Sequence, residues 1–156
     1  MNKRILITII VLAIIAIILF FTMILPNINK GFNNIGQNQV NIKTSNVQGV
    51  KIETLKEGEG DRVSKNSDTV SLNYITTLEN GQKVDSSYDH KAFATFKLGA
   101  GEVIKGWDIG AIGMKVGETR RLTIPANLAY GSEGSKSLNI PKDAILISVI
   151  QLVTIK

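Results

Sequence analysis

The sequence predicts an α+β fold, an antiparallel β-sheet with one short α-helix packed across one face, preceded by a single transmembrane helix. Three observations carry this reading. Residues Ile5 to Leu25 form an uncharged apolar run. From Gly49 onward the hydrophobic period becomes two, the period of a half-buried strand. One later stretch, Val103 to Ile112, has helical spacing instead.

The apolar run comes first. At a rise of ~1.5 Å per residue it spans about 31 Å, the thickness of a bilayer hydrocarbon core. A cleaved signal peptide has a shorter apolar region and a small-residue cleavage site. Thr22-Met23-Ile24-Leu25-Pro26-Asn27 offers no such site. A lipoprotein needs a lipid-bearing cysteine, and the chain has none. A core helix apolar on every side is too much for so small a domain to cover. An uncleaved signal anchor remains. Lys3 and Arg4 precede the run, so the positive-inside tendency keeps the N-terminus cytoplasmic and puts the rest outside. Residues 1–25 are thus a cytoplasmic tip and anchor in the lipid bilayer.

Residues 26–48, rich in Asn, Gly and Gln without a sustained period, read as a flexible polar linker. Residues 49–156 form the folded domain. Val50 to Leu55 is a short strand. Val70, Leu72, Tyr74, Thr76 and Leu78 alternate with Ser71, Asn73, Ile75 and Thr77 in a longer one. Asn80-Gly81 supplies a hairpin turn, and Gln82 to Asp85 returns. Thr95 to Leu98 is the next strand. Val103, Ile104, Trp107 and Ala111 give the helix its buried face. Gly106, Gly110 and Gly113 weaken its propensity but permit close approach to strands. Thr119 to Ile124 and Ala144 to Ile155 are the last strands, joined by the long loop from Pro125 to Pro141, and such loops are often functional.

The net charge of +5 suggests nucleic acid until its distribution is read. Lys3, Arg4, Lys30 and Lys43 precede Gly49, whereas all thirteen acidic residues follow it, leaving the domain at +1. Electrostatic nucleic-acid binding is not supported. Without cysteine there is no thiol nucleophile, and one histidine, His90, supplies neither a metal site nor, lacking a nucleophile elbow, a serine triad. Gly101 to Trp107 starts like a phosphate loop but lacks the Lys-Ser/Thr pair. Asp85 and Asp89 flank Ser86-Ser87-Tyr88, which is turn chemistry first. Tyr74, Trp107 and Tyr130 taken singly read as core filling with their polar tips satisfied locally.

Taken together, Gly81 to Ser87, Leu98-Gly99, Glu102 to Trp107, Gly113 to Glu118, Ala129-Tyr130-Gly131 and Ile140-Pro141 resemble, in order and spacing, FKBP-type peptidyl-prolyl cis-trans isomerases. The resemblance covers about Val50 to Lys156. It implies a twisted sheet wrapped around a short helix, and rotation of X-Pro bonds in a dry apolar pocket without cofactor or metal. It implies catalytic roles for Asp85, Tyr130 and Tyr74, with the Tyr74 hydroxyl holding Asp85 near the X-Pro carbonyl. Substrate would be bound by Val84, Phe93, Phe96, Val103, Ile104, Trp107, Ile140 and Ser148. In that arrangement Trp107 is the floor, and the Ile104 N–H and Tyr130 hydroxyl donate to substrate carbonyls.

Three positions depart from the family pattern, which places Phe where this chain has Val84, Ala94 and Ser148. A slip of one residue would exchange Ser148 for Ile147 or Val149 but would flip the whole strand face, so the unslipped register is retained. The departures imply a wider, more polar pocket, and they count against a macrolide ligand. The implied partners are proline-containing unfolded or exported polypeptides. Two other readings stand beside an exported-protein isomerase: a non-catalytic module binding Pro-containing segments, and a structural subunit of an envelope complex.

Overall fold

The computed structural model describes residues Ile42–Lys156. The apolar run at 5–25 and the linker up to residue 41 lie outside the described residues. Among those described, no helix is long and apolar enough to cross a membrane.

Nine strands and two short α-helices make up the domain. The strands are β1 (Lys43–Val47), β2 (Val50–Lys56), β3 (Glu59–Val63), β4 (Thr69–Leu78), β5 (Lys83–Ser86), β6 (Ala94–Lys97), β7 (Lys115–Val116), β8 (Thr119–Ile124) and β9 (Leu146–Ile155). The helices are α1 (Ser87–His90) and α2 (Lys105–Ala111). Seven strands form one antiparallel sheet in the order β1-β2-β8-β9-β4-β5, with β6 also pairing with β4. Strands β3 and β7 pair separately.

The alternation read from the sequence sets the inner face. Val70, Leu72, Tyr74, Thr76 and Leu78 of β4 are buried, and so are Leu146, Ser148, Ile150 and Leu152 of β9. Ser148 pairs with Thr76 across the β4–β9 ladder and is wholly buried, so the unslipped register holds.

Strand β1 corrects the linker boundary. Its five side chains are all exposed, so KTSNV carries no buried alternation, and only its backbone ladder to β2 makes it a strand. The hairpin turns at Gln48 and Gly49, both at positive φ (50° and 91°). That is the backbone a tight two-residue turn requires.

Helix α2 starts later than the spacing predicts. Val103 and Ile104 precede it, and Ile104 stands at the N-cap at φ −58° and ψ 144° without a side-chain cap bond. At its other end, Arg120 donates to the Gly110 and Ile112 carbonyls at 2.9 and 2.8 Å. This meets the unpaired acceptors of a helix C-terminus with a cation. Glu118 accepts from Arg120 Nε at 2.6 Å and holds it there.

The glycines of α2 set its distance from the sheet. A Cβ at Gly106 would meet Ile124 Cγ2 at 2.3 Å and two further Ile124 carbons at 2.9 Å, and one at Gly110 would meet Leu122 Cδ1 at 2.3 Å. Leu122 and Ile124 are fully buried. Ile124 is β-branched, so no rotamer withdraws all three of its atoms. Gly106→Ala gains about 1 kcal/mol of helix propensity and incurs overpacking of about 1–3 kcal/mol. We expect a net destabilisation, read as a lower urea midpoint at unchanged slope. A midpoint at or above the parent's would mean that the contact with β8 is slack.

Candidate functional site

A recess of about 310 Å³ opens on the inner face between β4, β5, α2 and the loop before β9. Tyr74 and Thr76 come from β4, Val84 and Asp85 from β5, and Trp107 from α2. Val103 and Ile104 line it from the residues just before α2, and Tyr130, Leu138 and Ile140 from the loop. Ala94, Glu102 and Leu146 complete the wall.

Trp107 is the best-fixed group. Its ring meets Tyr74 edge-on, with centroids 4.7 Å apart at 65°, and Phe96 at 6.2 Å. Its Nε1–H donates to Ser148 Oγ at 3.1 Å, and Ser148 Oγ lies 2.8 Å from Thr76 Oγ1. A buried indole N–H needs such an acceptor.

Asp85 is held from three directions. The Tyr74 hydroxyl donates to Oδ2 at 2.6 Å, His90 Nε2 lies 2.6 Å from Oδ1, and the Ser86 N–H donates to Oδ1 at 2.8 Å. Local sequence makes this possible. Ser86 caps α1 by accepting the Tyr88 N–H, and that one turn brings His90 back over Asp85. Ser87, buried, accepts the Tyr74 N–H at 3.0 Å and so ties α1 to β4. The turn chemistry expected of this segment and the positioning of Asp85 are therefore the same structure.

Burial pushes the Asp85 carboxyl up, but the bonds from Tyr74, His90 and the Ser86 N–H outweigh it and hold the group below its ordinary range. Burial, then the Asp85 carboxylate, push the Tyr74 hydroxyl far above its ordinary value. Burial and the Asp85 charge raise Tyr130 too. At neutral pH these three groups are thus one carboxylate and two neutral phenols that can donate. The Tyr130 hydroxyl and Ile104 N–H have no acceptor among the described residues and border the recess.

Of the sequence-predicted site residues, Tyr74, Val84, Asp85, Val103, Ile104, Trp107, Tyr130 and Ile140 come together around this recess. Phe93, Phe96 and Ser148 do not line it. Phe93 is 53% exposed and borders a separate shallow recess beside Tyr88. The alternation of β6 turns Ala94 and Phe96 inward and leaves Phe93 out. Phe96 is buried against Trp107, and Ser148 supports the indole from within the core. Thr76, Glu102, Leu138 and Leu146 were missed. Thr76 was legible, because it lies two residues after Tyr74 on the same strand face.

Residues 60–153 match the family model of FKBP-type peptidyl-prolyl cis-trans isomerases. FK506-binding protein 4 of Neurospora crassa is 53% identical over 110 residues, which are 70% of this chain and 23% of that protein. The chain thus spans about a quarter of that relative's length. FK506-binding protein 1A of the same fungus is 44% identical over 110 residues, 91% of its own length and 70% of this chain. The solved structure of AtFKBP13 superposes with a TM-score of 0.65 at 34% identity, covering 72% of this chain and 98% of that one.

The Asp85 contacts make a signed prediction. A carboxyl held below its ordinary 3.8 stabilises the fold fully above that range, and the contribution is lost as pH falls through it and below. Tyr74→Phe removes the bond that favours the carboxylate. Its destabilisation should be full at neutral pH and shrink by about pH 3, measured by urea unfolding at both. An equal loss at the two pH values would show that the bond does not depend on the charge of Asp85.

Proposed function

Because the chain belongs to the FKBP-type peptidyl-prolyl cis-trans isomerase family, we propose that its recess catalyses rotation about X-Pro bonds of exported polypeptides at a membrane surface. The observation that carries the catalytic part is an indole-floored, largely apolar recess rimmed by the uncommitted Ile104 N–H and Tyr130 O–H donors.

Rotation of an X-Pro amide must break its resonance against a barrier of roughly 18–20 kcal/mol. The exchange is slow enough to limit folding. A site that fits the twisted amide better than either planar isomer lowers the barrier without covalent chemistry. The twisted amide loses charge separation, so an apolar site disfavours it less than water does. In this chain the prolyl ring lies on Trp107 between Val103 and Ile104. The Ile104 N–H and Tyr130 O–H take substrate carbonyls and fix the peptide while the bond turns. Asp85, kept ionised by Tyr74 and His90, faces the carbonyl carbon side of the rotating amide. Ile140 closes the loop side.

The membrane part rests on the sequence of residues 5–25 and on Lys3 and Arg4, which orient an anchor with the domain outside the cytoplasm. Protease added to intact cells should then degrade the domain. Resistance until lysis would put the domain inside.

A second reading has a specific observation in its favour. Val84 and Ala94 put aliphatic side chains at two wall positions, and Ser148 is spent on Trp107. A module that holds Pro-containing segments with little turnover would tolerate this. The relatives are named for binding FK506, and the same recess is the place where a macrolide would bind here, with less aromatic contact.

Magnetisation-transfer NMR on a short X-Pro peptide tests both readings with the full chain in mild detergent. We expect catalysed exchange, a drop in kcat/KM of about tenfold or more for Trp107→Ala, and a smaller drop for Tyr130→Phe. Tyr130→Phe guards against misfolding, since removing a core Trp costs about 3–5 kcal/mol. Peptide binding without acceleration would replace the isomerase with the binding module.

A further inference from the structure

The floor of the recess ends in a hydrogen-bond donor that rotating a bare X-Pro bond does not require. The Trp107 Nε1–H can only donate, so Ser148 Oγ is its acceptor at 3.1 Å. Ser148 and Thr76 are 2.8 Å apart, and the distance alone does not say which hydroxyl donates. Counting protons does. Ser148 is 0% exposed, and among the described residues the one acceptor within reach of its own proton is Thr76 Oγ1. A buried hydroxyl proton without an acceptor is costly, so Ser148 donates to Thr76. The proton of Thr76 is then left over. Thr76 is 5% exposed, lines the recess, and has no other hydrogen-bond partner among the described residues. Its proton is therefore available to what fills the recess, at the end of a chain of donors that polarise one another.

We propose that Thr76 is a specificity-determining donor that reads a neutral hydrogen-bond acceptor on the residue before proline, which favours Asn-Pro, Gln-Pro and Ser-Pro bonds. The inference rests on the isomerase reading for the placement of the prolyl ring on Trp107. Thr76 stands in register with Asp85 of β5 on one side and Ser148 of β9 on the other. With the ring on the indole, the preceding residue covers the wall made by Val84, Asp85 and Thr76. An apolar residue there leaves the Thr76 proton unpaired beneath the ligand, and a site built around a donor rejects such a residue. An acidic residue would meet the Asp85 carboxylate and be repelled. A neutral acceptor takes the Thr76 proton without opposing the Asp85 charge.

The test compares peptides that differ only in the residue before proline, Asn against its near-isostere Leu, with the full chain in mild detergent. Exchange rates are normalised to the uncatalysed rate of each peptide, and binding is read from the emission of Trp107, the single tryptophan. We expect kcat/KM for Asn-Pro to exceed that for Leu-Pro by roughly threefold to tenfold, the worth of one hydrogen bond. Thr76→Val should abolish the preference and Thr76→Ser should keep it. The parent chain alone decides if Thr76→Val does not fold, because equal rates or a preference for Leu-Pro would overturn the inference. Persistence of the preference in Thr76→Val would overturn it too. Tighter binding of Asn-Pro without turnover would support the role of Thr76 and defeat the isomerase reading. Neither turnover nor a change in emission would overturn both.

Discussion

The approach of α2 to β8 is the contact on which the rest of the domain depends. Two glycines let helix backbone rest on Ile124 and Leu122, where any side chain would push it away. Seven residues of helix are too few to be stable alone, so α2 exists because the sheet holds it and Arg120 closes its end. That contact also places the indole. Trp107 follows Gly106 directly, and the depth of the glycine contact puts Nε1 within reach of Ser148 on β9. A helix set farther out would have neither the hydrogen bond nor the floor.

Much of this was legible because period-two burial is written into β4 and β9, and a single helical stretch stands out among the strands. What the sequence hid has physical reasons. Strand β1 buries none of its side chains, and β3 buries only part of Val63, so hydrophobic pattern has nothing to report. Strand β7 is two residues long, and α1 is one turn set by a serine cap rather than by periodicity. In the site, residues joined by short motifs came together as read. Ser148 did not, because its partner Thr76 lies 72 residues away and a lone inward serine does not name its acceptor. Phe93 was misplaced because an aromatic beside the family's aromatic position invites substitution of one for the other, whereas strand alternation assigns them to opposite faces.

The recess is sparing in charge. Beside Glu102 at the wall, the Asp85 carboxylate is balanced by two side-chain donors and a backbone N–H, and the nearby phenols stay neutral. Loss of aromatic faces at the wall is accompanied by hydroxyls inside it. Thr76 and Ser148 occupy the inner face as a bonded pair, so each buried hydroxyl oxygen has a partner. A hydroxyl pair thus stands behind a mostly apolar wall, and the indole is fixed more firmly than packing alone would fix it.

Strand β1 sits at one edge of the sheet and β5, which carries Asp85, at the other. With all five side chains exposed, β1 is attached by its backbone rungs to β2 and little else. Tension on the chain ahead of Ile42 would open those rungs one after another and release about 17 Å of extended chain before load reached β8 and the helix. The strand is in this sense a mechanical fuse. A pull from the N-terminal side is absorbed at the far edge, and the recess keeps its shape under it.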